Sequence, residues 1–410
     1  MLSYGATAST PPSKQGWLAK RGGLRKSWKR RWFVLSGQTL AYYKSQSHQN
    51  PEGRIWLDDV RIQLVGGMGQ DHCFGLFHNT AAGTKERKSY YVAADSAADV
   101  VRWIKAIRND PKVGLLDFAV LSLLGKGNFG KVMKVQHKET GKILAMKILR
   151  KDILTNSHDI EHTKTERRLL AKVRHPFVVG LHYAFQTEER LYMVMDYVPG
   201  GDLYYHLKNQ RRFPESTVRI WAAQLVLALQ YLHQLNVVYR DLKPENLLLD
   251  AGGHLHLTDY GLSKVLDDPN AVMHTFCGTP YYLAPEMLVG KKGYTRMVDW
   301  WSLGILIFEM ITGQPPFYSN NMQQVYEKIV GTEYSWPQNS SPSKTSVDLV
   351  AGLLQRDPAR RLSTAPGSNE IQEHPFFARM DWDGALNKRV STGFTPRQVR
   401  IFKFAAPDEI

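Results

Sequence analysis

Four short signatures, in a fixed order downstream of residue 120, constrain this chain more than anything else in it. LGKGNFGKV sets Gly125, Gly127 and Gly130 between two apolar stretches. Glycines let backbone amides approach phosphate oxygens closely, and such amides need no charged side chain. No helix is expected directly after these glycines, which argues against a dinucleotide-binding unit. AMK then places Lys147 on the next strand, and Glu166 follows on a predicted helix from about 159 to 173. A Lys–Glu pair of this kind can hold an ammonium against nucleotide phosphates. YRDLKPENLLLD supplies Asp241, Lys243 and Asn246, TDYG supplies Asp259, and APE closes the segment at 284–286. Phosphoryl transfer needs one carboxylate to orient a hydroxyl and a lysine to balance charge. It also needs an amide and a second carboxylate to hold magnesium on a polyphosphate.

The first 113 residues have a different character. They hold 18 Lys+Arg against 8 Asp+Glu, so +10 of the chain's +15 sits there. Such asymmetry favours a polyanionic partner. WFVL, LAYYK, RIWL, HCFGLFH and SYYVAA are predicted strands. A predicted capping box of Ser96 and Asp99 opens one helix with an apolar stripe of Val100, Trp103, Ile104 and Ile107. Together they suggest a small β-barrel plugged by a helix. Its most basic stretch, GWLAKRGGLRKSWKRRWFVL at 16–35, has three readings: a nucleic-acid groove, a membrane-facing phosphate site, or a strand with a basic outer face. Strand alternation sends Lys29 and Arg31 to one face and Arg30 to the other. No recognisable nucleic-acid motif accompanies the charge, so no nucleic-acid partner is expected, and Trp28 and Trp32 read as packing residues.

Length and composition fit this division. With 410 residues, 43% hydrophobic and 22% charged, the chain can hold two or three globular domains. Two cysteines, Cys73 and Cys277, make no disulfide framework or metal-ligand spacing and suit a reducing compartment. The apolar run LGILIFEMI at 303–311 is broken by Glu309 and is much too short to span a bilayer. With no apolar signal in residues 1–13, a soluble intracellular protein is expected. From Leu115 onward a sheet-rich half precedes a larger helical half, with amphipathic runs near 215–235, 297–312 and 346–355, and 378–410 reads as an extended tail.

The ordered signatures resemble the protein-kinase set over residues 118–377. DLKPEN resembles serine/threonine kinases, while YRD, TFCGTP, HPFF and EHT resemble the AGC group. The resemblance implies Mg2+ and ATP as cofactors, with Asp241, Lys243, Lys147 and Glu166 catalytic and Asn246 and Asp259 on the metal. It also implies an adenine pocket of Val132, Ala145, Met195, Leu248 and Thr258, with the backbone of Asp196 and Val198 bonding the base. By the same likeness Thr275 is an activation-loop phosphosite for an upstream kinase. Its phosphate would meet His162, Arg240 and Lys264. Asp202, Glu245 and Glu327 would read substrate arginines, and Thr279 would sit in the substrate site. Tyr260 stands where phenylalanine is usual and Tyr281 where glutamate is customary.

Lys20, Lys29 and Arg31 fit the K-x(n)-[K/R]-x-R pattern of phosphoinositide-binding pleckstrin homology (PH) domains, with Tyr43 and Arg54 as further phosphate ligands. Trp103 matches the helix tryptophan of that fold. A PH domain followed by an AGC kinase resembles the RAC/Akt (protein kinase B) family. The resemblance implies a multidomain chain. A PH β-barrel with a C-terminal helix at 14–110 leads through a short linker at 111–117 into an α+β bilobal protein-kinase fold at 118–377, then a truncated AGC tail at 378–410. It further implies a cytoplasmic enzyme recruited to phosphoinositide-bearing membranes such as the inner face of the plasma membrane. Two features depart from the family. The linker is about seven residues, spanning at most roughly 25 Å, and IFKF at 401–404 has the wrong spacing for a hydrophobic motif. A small-lobe groove that is empty, served by a hydrophobic-motif peptide in trans, or partly covered by the PH domain is therefore expected. Two rivals stay open: a PH domain that binds protein or autoinhibits, and a non-catalytic scaffold.

Overall fold

A computed structural model describes residues 13–22, 27–57, 60–78, 89–108, 113–127, 130–153, 163, 165–167, 169–170, 172–268, 271–290, 292–363 and 369–396. His162 and the IFKF segment lie outside the described residues. The chain divides into two compact units, 1–120 with 136–142, and 121–135 with 143–410.

The first unit is built on a seven-stranded antiparallel sheet. Its strands are β1 (Lys14–Arg21), β2 (Trp28–Ser36), β3 (Thr39–Tyr43), β4 (Gly53–Trp56), β5 (Val60–Leu64), β6 (Cys73–His78) and β7 (Tyr90–Ala93), in the order β4-β3-β2-β1-β7-β6-β5. Ile55 on one edge strand and Ile62 on the other share a single core with Leu18, Phe33, Phe74 and Val92, so the sheet curls round on itself. Helix α1 (Ala97–Arg108) closes that core with Val100, Trp103 and Ile104, and the Trp103 ring meets Phe33 edge-on at 6.4 Å. The barrel and its plug are therefore as the patterning predicts. Strand β5 is not among the predicted strands, although VRIQL alternates as a strand should. The predicted capping box forms by half: Ser96 Oγ accepts from Asp99 N at 3.1 Å, while its hydroxyl donates to the Asp99 carboxylate. After α1 the chain turns through Leu115–Asp117, where Asp117 takes the Gly114 amide and the Lys105 ammonium, each at 2.7 Å.

A second sheet runs β11-β12-β10-β9-β8, from β8 (Phe118–Gly127), β9 (Gly130–His137), β10 (Ile143–Arg150), β11 (Leu181–Gln186) and β12 (Arg190–Asp196). The helical half follows. Helix α2 (Leu203–Gln210) leads to α3 (Glu215–Gln234), α4 (Pro285–Val289) and α5 (Met297–Thr312), then α6 (Met322–Gly331) and α7 (Lys344–Leu353). Helix α5 is apolar all round and almost wholly buried, as expected of a helix at the centre of a lobe. Between α3 and α4 lie the short hairpin β14 (Leu247–Leu249) and β15 (Leu255–Leu257), and the pair β13 (Val237–Val238) and β16 (Lys264–Val265). The tail is less extended than predicted. It forms a short helix α8 (Trp382–Leu386), then packs Phe394 among His206, Phe213 and Trp221.

Candidate active site

Gly125 and Gly130 do different jobs. A Cβ at Gly125 would meet nothing within 4 Å, so β8 is open there to an incoming group. At Gly130 a Cβ would fall 1.9 Å from the Ile148 carbonyl oxygen, so this glycine exists to let β9 lie against β10. Gly127 ends β8.

The β10–β12 register sets Ala145 opposite Met195 and Leu144 opposite Asp196. Ala145 and Met195 are buried, and Val132, Leu248, Thr258 and Val198 are half-buried. The Asp196 carboxylate accepts from Gly180 N at 2.9 Å and meets His182 at 2.7 Å. Lys147 Nζ lies 2.7 Å from Glu166 Oε1 and 3.6 Å from Asp259 Oδ1. Burial opposes the charge on Lys147, but Glu166 and Asp259 outweigh it and hold the ammonium above the ordinary lysine value. The cation is thus kept at neutral pH in a place where charge is otherwise costly.

The buried Asp241 is fixed by three side chains. Thr279 Oγ1 donates to Oδ1 at 2.8 Å, Lys243 Nζ sits 2.8 Å from Oδ2, and Asn246 Nδ2 donates to Oδ2 at 2.8 Å and to the Asp241 carbonyl at 2.9 Å. Lys243 also donates to Thr279, so acid, lysine and threonine close a ring. The loop is hung from α5. Fully buried Asp299 accepts from Tyr239 N at 2.9 Å and Arg240 N at 2.8 Å, while His233 braces it at 2.8 Å.

Asp259 stands at φ 57°, a conformation that costs a non-glycine residue energy, and its side chain is about half exposed, at 52%. Two buried tyrosines bracket the strand before it. The Tyr239 hydroxyl donates to the Thr258 carbonyl at 2.5 Å and Tyr260 to that of Leu257 at 3.3 Å, their rings meeting edge-on at 5.6 Å. The hydroxyl that Tyr260 adds is therefore satisfied inside the core. The donor set around Asp259 and Asn246 suits a hard cation bound partly through phosphate oxygens. Asn246 turns its amide nitrogen to Asp241, and among the described residues no group of three His, Cys, Asp or Glu forms a metal cage of its own.

Arg240 donates from Nε to the Leu262 carbonyl and from Nη1 to Tyr294 Oη, and Tyr294 in turn donates to the carbonyl of exposed Thr275 at 2.6 Å. The segments that carry Thr275 and Arg240 thus meet through Tyr294, which the sequence did not single out. Lys264 is exposed on β16. Glu286 of APE is clamped by both ends of the buried Arg361 guanidinium, at 2.6 and 2.9 Å.

The three acids expected to read arginines have different partners. Asp202 caps α2 by accepting from Tyr205 N at 2.7 Å. Glu327 lies on the exposed face of α6, partnered by Gln323 one turn earlier. Exposed Glu245 acts electrostatically on a further acid, Glu309. Buried Glu309 accepts a short hydrogen bond from Tyr282, and burial pushes its pKa up to about 7, with Glu245 adding to the rise. The signal for Glu309 was present in the sequence as the one charge in the apolar run 303–311. Tyr281 stacks on Tyr318 at 5.7 Å and donates to the Ser319 carbonyl.

In the first unit the register pairs Lys20 with Lys29 and buried Leu18 with Arg31, so the three cations share the core-side face. Tyr42 pairs with buried Phe33 on that face, and Lys20 lies 4.7 Å over its ring. Tyr43 and Arg54 do not join them. They pair with Trp32 and Ala41, whose side chains alternate to the other face.

Comparison with known proteins agrees with this geometry. Residues 118–377 match the protein kinase domain family and residues 12–109 the PH domain family. A RAC family serine/threonine-protein kinase homolog of Dictyostelium discoideum is 43% identical over 95% of this chain and 88% of its own length. The human RAC-beta serine/threonine-protein kinase is 38% identical over 94% of this chain and 88% of its own. The chain belongs to the RAC/Akt family. As a RAC/Akt-type protein it is a serine/threonine protein kinase carrying an N-terminal PH domain. Protein kinases use ATP and Mg2+, and the RAC/Akt relatives share both modules with this chain. Among its described residues no helix is long and apolar enough to cross a membrane.

Proposed function

We propose that this kinase transfers the γ-phosphate of ATP to serine or threonine in arginine-containing protein segments, and that phosphoinositide draws it to membranes. The observations that carry the transfer are the ring of Asp241, Lys243 and Thr279 and the Lys147–Glu166–Asp259 group. Asp241 accepts a hydrogen bond from a hydroxyl at Thr279, and a substrate hydroxyl presented there is oriented by the same carboxylate. Lys243 offsets charge that develops on the transferring group, and Lys147, kept cationic by Glu166, holds the nucleotide phosphates. Asn246 and Asp259 would hold magnesium through their side-chain oxygens, and the ion would neutralise polyphosphate charge when bound.

Selection for arginine rests on Glu309 and Glu245. A buried carboxyl with a raised pKa has no cation to stabilise its charge, and a guanidinium would supply one. Asp202 and Glu327 take the outer subsites in this reading. Phosphorylation of Thr275 by an upstream kinase would draw in Arg240 and Lys264, with His162 as third ligand, and a hydrophobic-motif peptide in trans would serve the small lobe. Lys20, Lys29 and Arg31 hold the phosphorylated headgroup, which places the protein between cytoplasm and phosphoinositide-bearing membranes. In this reading the PH domain is 14–110, the linker 111–117, the catalytic domain 118–377 and the tail 378–410. A peptide-panel assay with and without polyphosphoinositide vesicles tests the whole reading. Preference for arginine upstream of the acceptor is expected, and a preference for acidic or proline-directed peptides overturns it.

A further inference from the structure

The cationic cluster of the first unit already holds an anion of its own. Arg31 Nε lies 2.5 Å from Glu52 Oε2, while Arg31 Nη1 donates to the Arg30 carbonyl at 3.0 Å. Glu52 is set there by the chain: its amide donates to the Tyr42 carbonyl at 2.8 Å, just where β4 begins. The next residue must be glycine for the Tyr42 ring to lie where it does, since a Cβ on Gly53 would fall 2.3 Å from the tyrosine oxygen. The same ring lies under the Lys20 ammonium. The carboxylate is thus delivered to the edge of the cluster by a backbone hydrogen bond and a glycine.

We propose that Glu52 is a resident counter-ion of the headgroup site, seated on Arg31 and displaced only by a headgroup carrying clustered phosphates. This rests on the reading of Lys20, Lys29 and Arg31 as headgroup ligands. A partly exposed ion pair adds little to the fold, so stability gives little reason for it. Its effect on binding is larger in kind, because an incoming anion must offer Arg31 more than Glu52 does. A singly charged headgroup offers one charge for one. A headgroup with adjacent phosphates, each of about −1.5 to −2, gains Lys20 and Lys29 in the same step. Glu52 therefore sets a threshold against weakly charged lipid.

The molecule supplies its own control. Arg30, one residue earlier and on the opposite face, pairs with Asp95 at 2.8 Å, with both side chains well exposed. Glu52→Gln and Asp95→Asn remove the same charge from a neighbouring arginine, but only one lies at the cluster. Full-length protein is titrated with phosphatidylcholine vesicles bearing either a polyphosphoinositide or phosphatidylserine at matched charge, and with soluble inositol tetrakisphosphate. E52Q should bind polyphosphoinositide vesicles roughly five- to tenfold tighter, gain more on phosphatidylserine, and so narrow the selectivity. D95N should stay within about twofold of wild type. A gain on the soluble polyphosphate without one on vesicles supports the counter-ion and assigns it to a soluble ligand. Equal gains in E52Q and D95N overturn it in favour of bulk charge. No gain in E52Q, while K29A/R31A loses binding, overturns it and leaves the headgroup site standing. Indistinguishable binding by wild type, E52Q and K29A/R31A removes the headgroup reading and Glu52 with it.

Discussion

Glu309 couples stability to pH through a single proton and, in the proposed reading, recognition as well. Burial pushes its pKa to about 7, against the pull of the Tyr282 hydrogen bond. A raised carboxyl stabilises the fold fully below the ordinary value near 4.5, and that contribution is lost as pH rises through about 7. The loss is on the order of 3 kcal/mol. In chemical denaturation at pH 5 and pH 8, wild type should lose more stability than Glu309→Gln, which stays neutral throughout; equal losses would refute the assignment. Recognition has the opposite sign. KM for an arginine peptide should fall as pH rises through 7 in wild type and stay flat in E309Q. At the reacting centre, Asp259→Ala should abolish turnover and Lys147→Met should lower kcat by more than a hundredfold, with near-native circular dichroism in both. Lys147, Glu166, Asp241, Asn246 and Asp259 were legible in the sequence because phosphoryl transfer fixes both their types and their order. Glu309 was not read, because in a sequence a buried acid and a break in an apolar run look alike.

Strands and helices decide what neighbouring residues can share. Tyr43 and Arg54 look like neighbours of Lys29 and Arg31 along the chain, yet the pairing of Phe33 with Tyr42 sends them to the other face. Register depends on which strand lies alongside which, and a one-residue change reverses every side chain. Asp202 is similar: its helix-capping role depends on where α2 starts. The glycine-rich turn gives a direct test at this scale. Gly130→Ala drives a Cβ into the Ile148 carbonyl, so β9 and β10 must separate. A loss of about 3 kcal/mol or more in unfolding free energy is expected. Gly125→Ala meets nothing; it should leave the melting temperature within about 2 °C of wild type and raise KM for ATP. Matching melts for the two variants would show that neither glycine has the role assigned to it.

Charge divides the whole molecule in two, and so should salt. In the proposed reading vesicle binding would draw on the +10 of the first 113 residues and should weaken at least tenfold between 50 and about 300 mM salt. Turnover of a short neutral peptide should change far less over the same range. Parallel falls in the two would place the lipid site and the substrate site on one surface. Domain order and the kinase boundaries were readable because each domain has its own pattern: alternating aromatic strands, then ordered signatures. The folded tail was not, since Phe394 gains its meaning only from His206, Phe213 and Trp221. One buried carboxylate also determines how this enzyme fails. Because Asp299 suspends both Tyr239 and Arg240 from the buried first turn of α5, the catalytic loop has no private way to loosen. Heat should leave it fully competent until the large lobe melts, and then stop it all at once, so that a survivor in a partly inactivated sample is an intact enzyme rather than a slow one.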